Sequence, residues 1–185
     1  MSSVKKGLAL IIANADYQSQ PQLPSCHKDG TDMKAKLEQL NFDVLYYTNT
    51  TRKTILEAIS EFIKLADCYS VLLVYYTGHG VQIDGENYFV PIDCIYHPVK
   101  SVFIASSLVG VNTITQYMNE HEEKTNIFFH YKSTQNETLS FFLAFYWKKV
   151  SSKHLQIYKK QLPLHPQSRE MQINKMKFWF GSSVG

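Results

Sequence analysis

Between residues 7 and 129 the chain alternates between short, unbroken apolar runs and stretches in which apolar residues recur every three or four positions. Such runs are typical of strands buried on both faces, and such spacing is typical of amphipathic helices. In chain order the pattern predicts strand 7–15, helix 29–40, strand 42–47, helix 55–66, strand 71–76, a helix ending near 123 and strand 125–129. This alternation predicts right-handed crossovers around a mostly parallel sheet, an α/β fold with helices on both faces.

The segment 14–28 interrupts this pattern. It holds Pro21 and Pro24 among several Gln and Ser residues. Proline does not fit a helix interior, so we predict a surface loop that ends near Lys28. The helix after the loop is then expected to carry Asp29 in its first turn, where the helix dipole favours a negative charge.

The segment after the central strand is also less regular. The turn dipeptide Asp84-Gly85 separates the apolar stretches 81–83 and 88–91, which predicts a hairpin. Residues 93–110 show a less regular pattern. The following helix is expected to begin at a cap formed by Thr113 or Thr115.

The central strand, 71–76, runs almost directly into Gly78-His79-Gly80. In open parallel sheets ligands bind beyond the carboxyl ends of the strands, so the position of His79 indicates a site. The two glycines allow another backbone or a substrate to approach closely. A neutral imidazole there can act as a general base or acid, because its ordinary pKa of about 6.5 lies near working pH. The tripeptide alone fits equally well a turn with a structural histidine.

Two parts of the chain resemble the caspase-like cysteine peptidases, most of all their paracaspase branch. Residues 77–80 with 86–93 resemble the region of that family's catalytic histidine, and residues 8–17 are similar to its first strand and following loop. The resemblance implies a caspase-like three-layer sandwich, incomplete at the C-terminus, and a cysteine endopeptidase that works in intracellular signalling. It also implies that His79 is the catalytic histidine and that the Gly80 N–H is an oxyanion donor.

The nucleophile expected from this resemblance is absent. In the family, the strand similar to 125–129 runs on into an Asp-x-Cys sequence, whereas here it runs into His130-Tyr131 and then Lys132 and Ser133. A serine hydroxyl is far harder to deprotonate than a thiol, and a Cys-His site lacks the orientation that a serine triad supplies. We therefore expect this chain to be inactive or severely impaired.

The three cysteines of the sequence, Cys26, Cys68 and Cys94, do not follow a strand next to the predicted catalytic histidine. Their odd number and wide spacing give no disulfide framework, so we expect reduced thiols with structural roles. Cys26 lies beside His27 in the predicted loop and is the hardest of the three to dismiss as a nucleophile.

Asp29 is the predicted substrate-binding residue. In the paracaspase and metacaspase branches a carboxylate similar to it helps to form an acidic pocket for the arginine or lysine before the cleaved bond. A carboxylate in a cleft favours a guanidinium through a charge-assisted contact, so we expect basic substrates to be preferred over acidic ones. An equally good interpretation is that Asp29 is only a helix residue, whose negative charge is favoured by the helix dipole. Tyr131 stands where the family has a second acidic residue, so the predicted pocket is half built.

Charge divides the chain near residue 129. Residues 1–129 carry 10 Lys/Arg and 14 Asp/Glu, whereas residues 130–185 carry 9 and 2. We therefore assign 6–129 to a caspase-like domain and 130–185 to a divergent basic and aromatic tail, and we leave open whether the tail folds. Three interpretations of the tail compete. The first is an alternative or misassigned coding end, and the second is a divergent segment that completes the fold of an inactive homologue. The last in order is a basic surface for nucleic acid or anionic lipid.

Composition limits the remaining possibilities. With 185 residues, 44% of them apolar, the chain has the composition of one globular domain. No apolar run approaches the ~20 residues of a membrane span, and residues 1–6 do not resemble a signal peptide, so we expect a cytoplasmic protein. No phosphate loop or zinc-protease motif occurs, and we expect neither cofactor nor metal. The expected partners are a peptide or protein substrate, a caspase-like protein or a second copy of the chain.

Overall fold

The computed structural model describes residues 7–97, 100, 102–121, 124–131, 144–147 and 158–159. The helices of this part of the chain are α1 (Ser25–Gln39), α2 (Arg52–Ala66) and α3 (Asn112–Glu120). Its strands are β1 (Gly7–Ala13), β2 (Phe42–Thr48), β3 (Val71–Thr77), β4 (Gly80–Ile83), β5 (Glu86–Phe89), β6 (Tyr96–His97), β7 (Val102–Phe103), β8 (Val109–Gly110), β9 (Thr125–Tyr131), β10 (Ala144–Trp147) and β11 (Tyr158–Lys159).

A sheet with the strand order β11-β10-β9-β3-β1-β2 lies at the centre of the fold. Its strands β9, β3, β1 and β2 are parallel to one another, and the helices lie on the connections between them. The predicted α/β fold with a mostly parallel sheet is thereby confirmed. All of the strands predicted for the main sheet are present, with ends that differ by one or two residues.

Alternate residues of β1 face the two helical layers. Leu10 lies in the apolar cluster that also contains Ile59 of α2 and Ile114 of α3. Its neighbour Ile11 lies in the cluster on the other face, with Leu37 of α1. Full burial of each such side chain stabilises the fold by about 1.5–3 kcal/mol, which explains why β1 is apolar without interruption.

Two short strands come from the segment that we assigned to a divergent tail. β10 pairs antiparallel with β9, with Tyr146 opposite Phe128 and Trp147 opposite Ile127, and β11 pairs antiparallel with β10. The described part of this segment therefore extends the main sheet beyond β9. The division of the chain at residue 129 stays a prediction.

The first helix begins four residues earlier than predicted. It starts at Ser25, directly after Pro24, so that Lys28 and Asp29 lie inside it and its first turn carries no acidic residue. Proline suits the entrance of a helix because its missing N–H would have had no helical partner there. The predictions of a loop through Lys28 and of Asp29 in the first turn are wrong, because Pro24 marks the start of α1.

The loop between β1 and α1 is also not wholly at the surface. Ala15, Tyr17 and Leu23 are buried in a third apolar cluster, together with Cys26 at the start of α1. The N–H of Leu23 donates to the carbonyl of Ala15 at 2.9 Å and closes the loop. The loop is therefore anchored by packing with Val90, Cys94 and Leu108 of the same cluster.

A side chain caps α2 but not α3. The hydroxyl of Thr51 accepts a hydrogen bond from the N–H of Thr54. The residue before α3 is Val111, which makes no such bond, and the hydroxyl of Thr115 donates back to the carbonyl of Val111. The prediction of a cap at Thr113 or Thr115 is wrong, because α3 begins one residue before Thr113.

The predicted hairpin is present. β4 and β5 pair antiparallel, and Asp84 and Gly85 between them have φ angles of 50° and 83°, as a tight hairpin turn requires. β5 also pairs with β8, which leaves β4 at the edge of a three-stranded sheet. Residues 93–110, whose sequence pattern is less regular, contain the two-residue strands β6, β7 and β8.

Candidate active site

The four parallel strands end at the same edge of the main sheet. Ala13 of β1 is in register with Thr48 of β2 and with Thr77 of β3, and Thr77 is in register with Tyr131 of β9. His79 lies two residues beyond Thr77. It is therefore found where open parallel sheets place their ligands and their chemistry.

The imidazole of His79 is half-buried and contacted on two sides. Its Nε2 lies 2.8 Å from the carbonyl oxygen of Pro21, and the ring of Tyr17 packs edge-on with its centroid 4.5 Å away. Because a carbonyl only accepts hydrogen bonds, Nε2 carries the hydrogen and Nδ1 of the neutral ring keeps its lone pair. Nδ1 is the atom suited to take a proton from a nucleophile.

Two buried tyrosines hold the backbone of His79. Its N–H donates to the hydroxyl of Tyr17 at 2.8 Å, and the hydroxyl of Tyr76 donates to its carbonyl at 2.7 Å. The two hydroxyl oxygens lie 3.3 Å apart. Burial raises the pKa of both tyrosines well above its ordinary value, so both hydroxyls stay protonated.

Gly78 is required by this pair of tyrosines. A Cβ at this position would lie 2.5 Å from the hydroxyl oxygen of Tyr17 and 2.8 Å from that of Tyr76. Contacts that short would force one of the buried rings to move. The close approach predicted at this glycine is made by two hydroxyls of the protein itself.

Gly80 directs its N–H away from the neighbouring strand. It pairs with Phe89 across the hairpin, and the N–H of Val90 donates to the carbonyl of His79 at 3.1 Å. In an antiparallel pair of strands, such a flanking bond means that Gly80 and Phe89 do not hydrogen-bond to each other. The Gly80 N–H therefore points away from β5. Its role as an oxyanion donor stays a prediction, with which this direction is compatible.

Asp29 lies on the part of α1 that packs against the carboxyl edge of the sheet. One turn earlier, the Sγ of Cys26 accepts a hydrogen bond from the hydroxyl of Thr77 at 3.2 Å. Next to Asp29, a Cβ on Gly30 would lie 2.6 Å from that of Ala13, so the helix approaches β1 closely. The Asp29 side chain is half-buried and its Oδ2 is fully so. The substrate-binding role of Asp29 stays a prediction.

The cysteines occupy positions unsuited to nucleophilic attack. Cys26 and Cys94 are 0% and 2% exposed, and Cys26 belongs to the first turn of α1 instead of the surface loop that we predicted. Burial, with the charge of Asp93, raises the pKa of the Cys94 thiol to about 11. Cys68 is exposed but precedes β3, which puts it at the opposite end of that strand from His79, roughly 20 Å away.

The region aligned with the family's nucleophile falls outside the described residues. β9 ends at Tyr131, and Lys132 and Ser133 follow it in the sequence. The last described residue before that region, Tyr131, is in register with Thr77 of the strand that leads to the histidine. The sequence holds no cysteine after Cys94.

Three contacts of the histidine were missed from the sequence: those with the Pro21 carbonyl, Tyr17 and Tyr76. A backbone carbonyl leaves no sequence signal, since every residue has one. The tyrosines offered a weak signal, because a hydroxyl on a fully buried strand such as β3 needs a hydrogen-bond partner. Which partner it finds depends on packing between distant segments.

Neither a metal site nor a membrane span is found in the described part of the chain. No group of three or more His, Cys, Asp or Glu side chains among those residues is arranged to hold a metal ion. No helix among them is both long enough and apolar enough to cross a bilayer.

The strand order, and a histidine just past the third strand, agree with the class that the sequence predicted. The model of the family described as "Caspase domain" matches residues 6–138, more than half of the chain. The chain belongs to this family, and the predicted recognition is confirmed.

Two curated relatives extend the assignment. Over 124 residues the chain is 32% identical to "Mucosa-associated lymphoid tissue lymphoma translocation protein 1" of Homo sapiens and to its homolog of Mus musculus. Each match covers 67% of this chain and 14% of the relative, so the chain spans a small part of the relatives' length. These relatives support the predicted likeness to the paracaspase branch.

A solved structure gives the same fold. The Drosophila initiator caspase Dronc matches with a TM-score of 0.50 at 15% sequence identity, over 77% of this chain and 54% of that chain. At this identity the likeness shows the fold alone. It confirms the caspase-like fold class.

Proposed function

We propose that this chain is a caspase-family domain without cysteine peptidase activity, which acts by binding other proteins. The observation that carries the proposal is the sequence beyond β9. Tyr131, Lys132 and Ser133 stand where the family has its Asp-x-Cys nucleophile, and no cysteine occurs after Cys94. The register of β9 with β3 supports this alignment, since it pairs Tyr131 with Thr77, two residues before His79.

The histidine alone does not make a peptidase. Nδ1 of His79 is suited to accept a proton, but acyl transfer also needs a nucleophile that gives one up. A thiol ionises with a pKa of about 8.5 and a serine hydroxyl far less readily. In a serine triad a carboxylate stabilises the imidazolium, whereas the group on His79 Nε2 is the neutral carbonyl of Pro21. Ser133 is therefore a poor substitute.

Binding does not need the nucleophile. Asp29 lies on the face of α1 that meets the carboxyl edge of the sheet, with one carboxylate oxygen buried. A carboxylate in such a setting favours a guanidinium or an ammonium group. We infer that the domain binds extended segments carrying Arg or Lys, from a peptide or from a caspase-like partner. Its cytoplasmic location and its ability to dimerise stay predictions.

Peptide hydrolysis tests the loss of activity. The full chain is incubated with a fluorogenic peptide that ends in arginine, beside an active caspase-family peptidase as assay control. We expect no turnover above that of the His79→Ala variant. Turnover by the wild-type chain that His79→Ala abolishes would overturn the proposal.

Binding of the same peptide tests the role of Asp29. In a fluorescence polarisation titration, Asp29→Asn should weaken binding about tenfold, because a charge-assisted hydrogen bond contributes roughly 1.5–3 kcal/mol. Asp32→Asn is the matched control, since Asp32 lies on the same helix but is exposed and paired with Lys28 at 2.6 Å. Equal affinities of the two variants would show that Asp29 does not bind the peptide.

A further inference from the structure

A closed ring of hydrogen bonds surrounds the backbone of His79. The hydroxyl of Tyr76 donates its single hydrogen to the carbonyls of His79 and Val90, 2.7 and 3.0 Å away. In the 3.3 Å contact between the two hydroxyls, Tyr17 must therefore be the donor. Because Tyr17 accepts from the N–H of His79 at 2.8 Å, the ring runs from that N–H through both tyrosines back to the His79 carbonyl.

We propose that Tyr17 and Tyr76, the tyrosine clamp, are positioning residues that set the orientation of the His79 imidazole. Tyr17 acts on His79 in two ways, because its hydroxyl holds the backbone while its ring packs edge-on against the imidazole at 4.5 Å. Tyr76 holds the next peptide unit along the chain, because its hydroxyl donates to the carbonyl of His79.

Fixing the backbone restricts the imidazole. Once the N–H and carbonyl of His79 are held, only its two side-chain torsions decide whether Nε2 meets the carbonyl of Pro21 at 2.8 Å. Tyr17 and Pro21 belong to the same loop between β1 and α1. One loop therefore carries both the hydroxyl that holds the backbone and the carbonyl that selects the Nε2–H tautomer.

The clamp keeps one arrangement across neutral pH. Tyr76 is wholly buried and Tyr17 is 4% exposed. Removal from water raises the pKa of both hydroxyls well above its ordinary value, so neither loses its proton near neutrality. A Cβ at Gly78 would collide with both hydroxyl oxygens, which shows how closely the clamp is packed.

The inference about the clamp rests on the proposed function in one respect: both take His79 as a former catalytic base. Its effect on the imidazole is measurable in a chain without activity. Peptidase activity of the wild-type chain would overturn the proposed function and would leave the clamp untouched, so the two failures are distinguishable.

The test is the tautomer of His79 in the full chain, read by NMR from the ¹⁵N shifts of its two ring nitrogens. The wild type should show the Nε2–H tautomer. Tyr17→Phe keeps the ring and removes only the hydroxyl, so we expect a mixture of tautomers. The amide hydrogen of His79 should then exchange roughly five- to tenfold faster, because its hydrogen bond of about 1 kcal/mol is lost.

Tyr69→Phe is the matched control. It removes a part-buried hydroxyl that donates to Asp43 at 2.7 Å, away from the clamp, and should leave both readouts of His79 unchanged. A folded Tyr17→Phe variant with the wild-type tautomer and exchange rate would show that the clamp only packs. An Nδ1–H tautomer in the wild type would also overturn the proposal, whether or not the variant folds.

Discussion

The two sides of the candidate active site differ in what holds them in place. On the β3 side, the histidine is fixed by the Pro21 carbonyl and by the tyrosine clamp of Tyr17 and Tyr76. On the β9 side, the chemistry of the family depends on one side chain just after the strand. Here the residues at that place are Lys132 and Ser133, and neither carries a thiol.

In the function that we propose, the catalytic site has lost its nucleophile half and has kept its histidine half. The clamp belongs to the packing of the molecule, because its hydroxyls lie against Gly78 and its rings lie in buried clusters. Replacing those groups costs stability. A nucleophile at a strand tip contributes little to packing, so its loss leaves the fold intact.

Restoring the nucleophile should give the largest effect. The double variant Tyr131→Asp/Ser133→Cys recreates the family's Asp-x-Cys sequence after β9. If the β3 side is already built, His79 can act as general base, a contribution of about 10²–10⁴-fold in rate. We expect hydrolysis of the arginine-ending peptide at least roughly 100-fold above wild type.

The control for this rescue adds His79→Ala to the double variant. Activity should return to background, because the thiol then has no base beside it. If the folded double variant hydrolyses peptide no faster than wild type, then His79 and its contacts are not arranged for catalysis.

Gly78→Ala should give the next largest effect. Its new Cβ would lie within 3 Å of both clamp hydroxyls, so we expect a loss of about 3 kcal/mol in the free energy of unfolding, measured by urea titration. Gly110→Ala is the control, because the nearest atom to its Cβ is 3.8 Å away on Tyr88, and it should change stability by less than about 0.5 kcal/mol. Similar losses in both variants would mean that the clamp is not tightly packed.

Alkaline pH should give a smaller effect. Tyrosine in the unfolded chain ionises near pH 10, whereas burial raises the pKa of Tyr17 and Tyr76 in the folded chain. The contribution of these tyrosines to the free energy of unfolding is therefore complete below about pH 10. It is lost as the pH rises toward their folded-state pKa. Urea titrations from about pH 8 to about pH 11 should show this fall in the free energy of unfolding. The fall should be shallower in the Tyr17→Phe variant. Equal slopes would exclude ionisation of Tyr17 as its source.

Local pattern predicted most of the fold and the place of the histidine, but not its environment. The unbroken apolar run of β3 followed by Gly78-His79-Gly80 was enough to put a histidine at a strand end. The start of α1 was missed because Pro24 suits both a loop and a helix entrance. The contacts of Pro21 and Tyr17 with His79 join segments about 60 residues apart, and periodicity carries no information about such pairs.

Covalent labelling of the wild-type full chain tests the lost nucleophile most directly. The reagent is a peptide that ends in arginine and carries a group reactive toward active-site thiolates, and the readout is intact mass. We expect no more labelling than in the His79→Ala variant, because Cys26 and Cys94 are buried and Cys68 lies at the far end of β3. Stoichiometric labelling of one cysteine that depends on His79 would contradict the loss of the nucleophile.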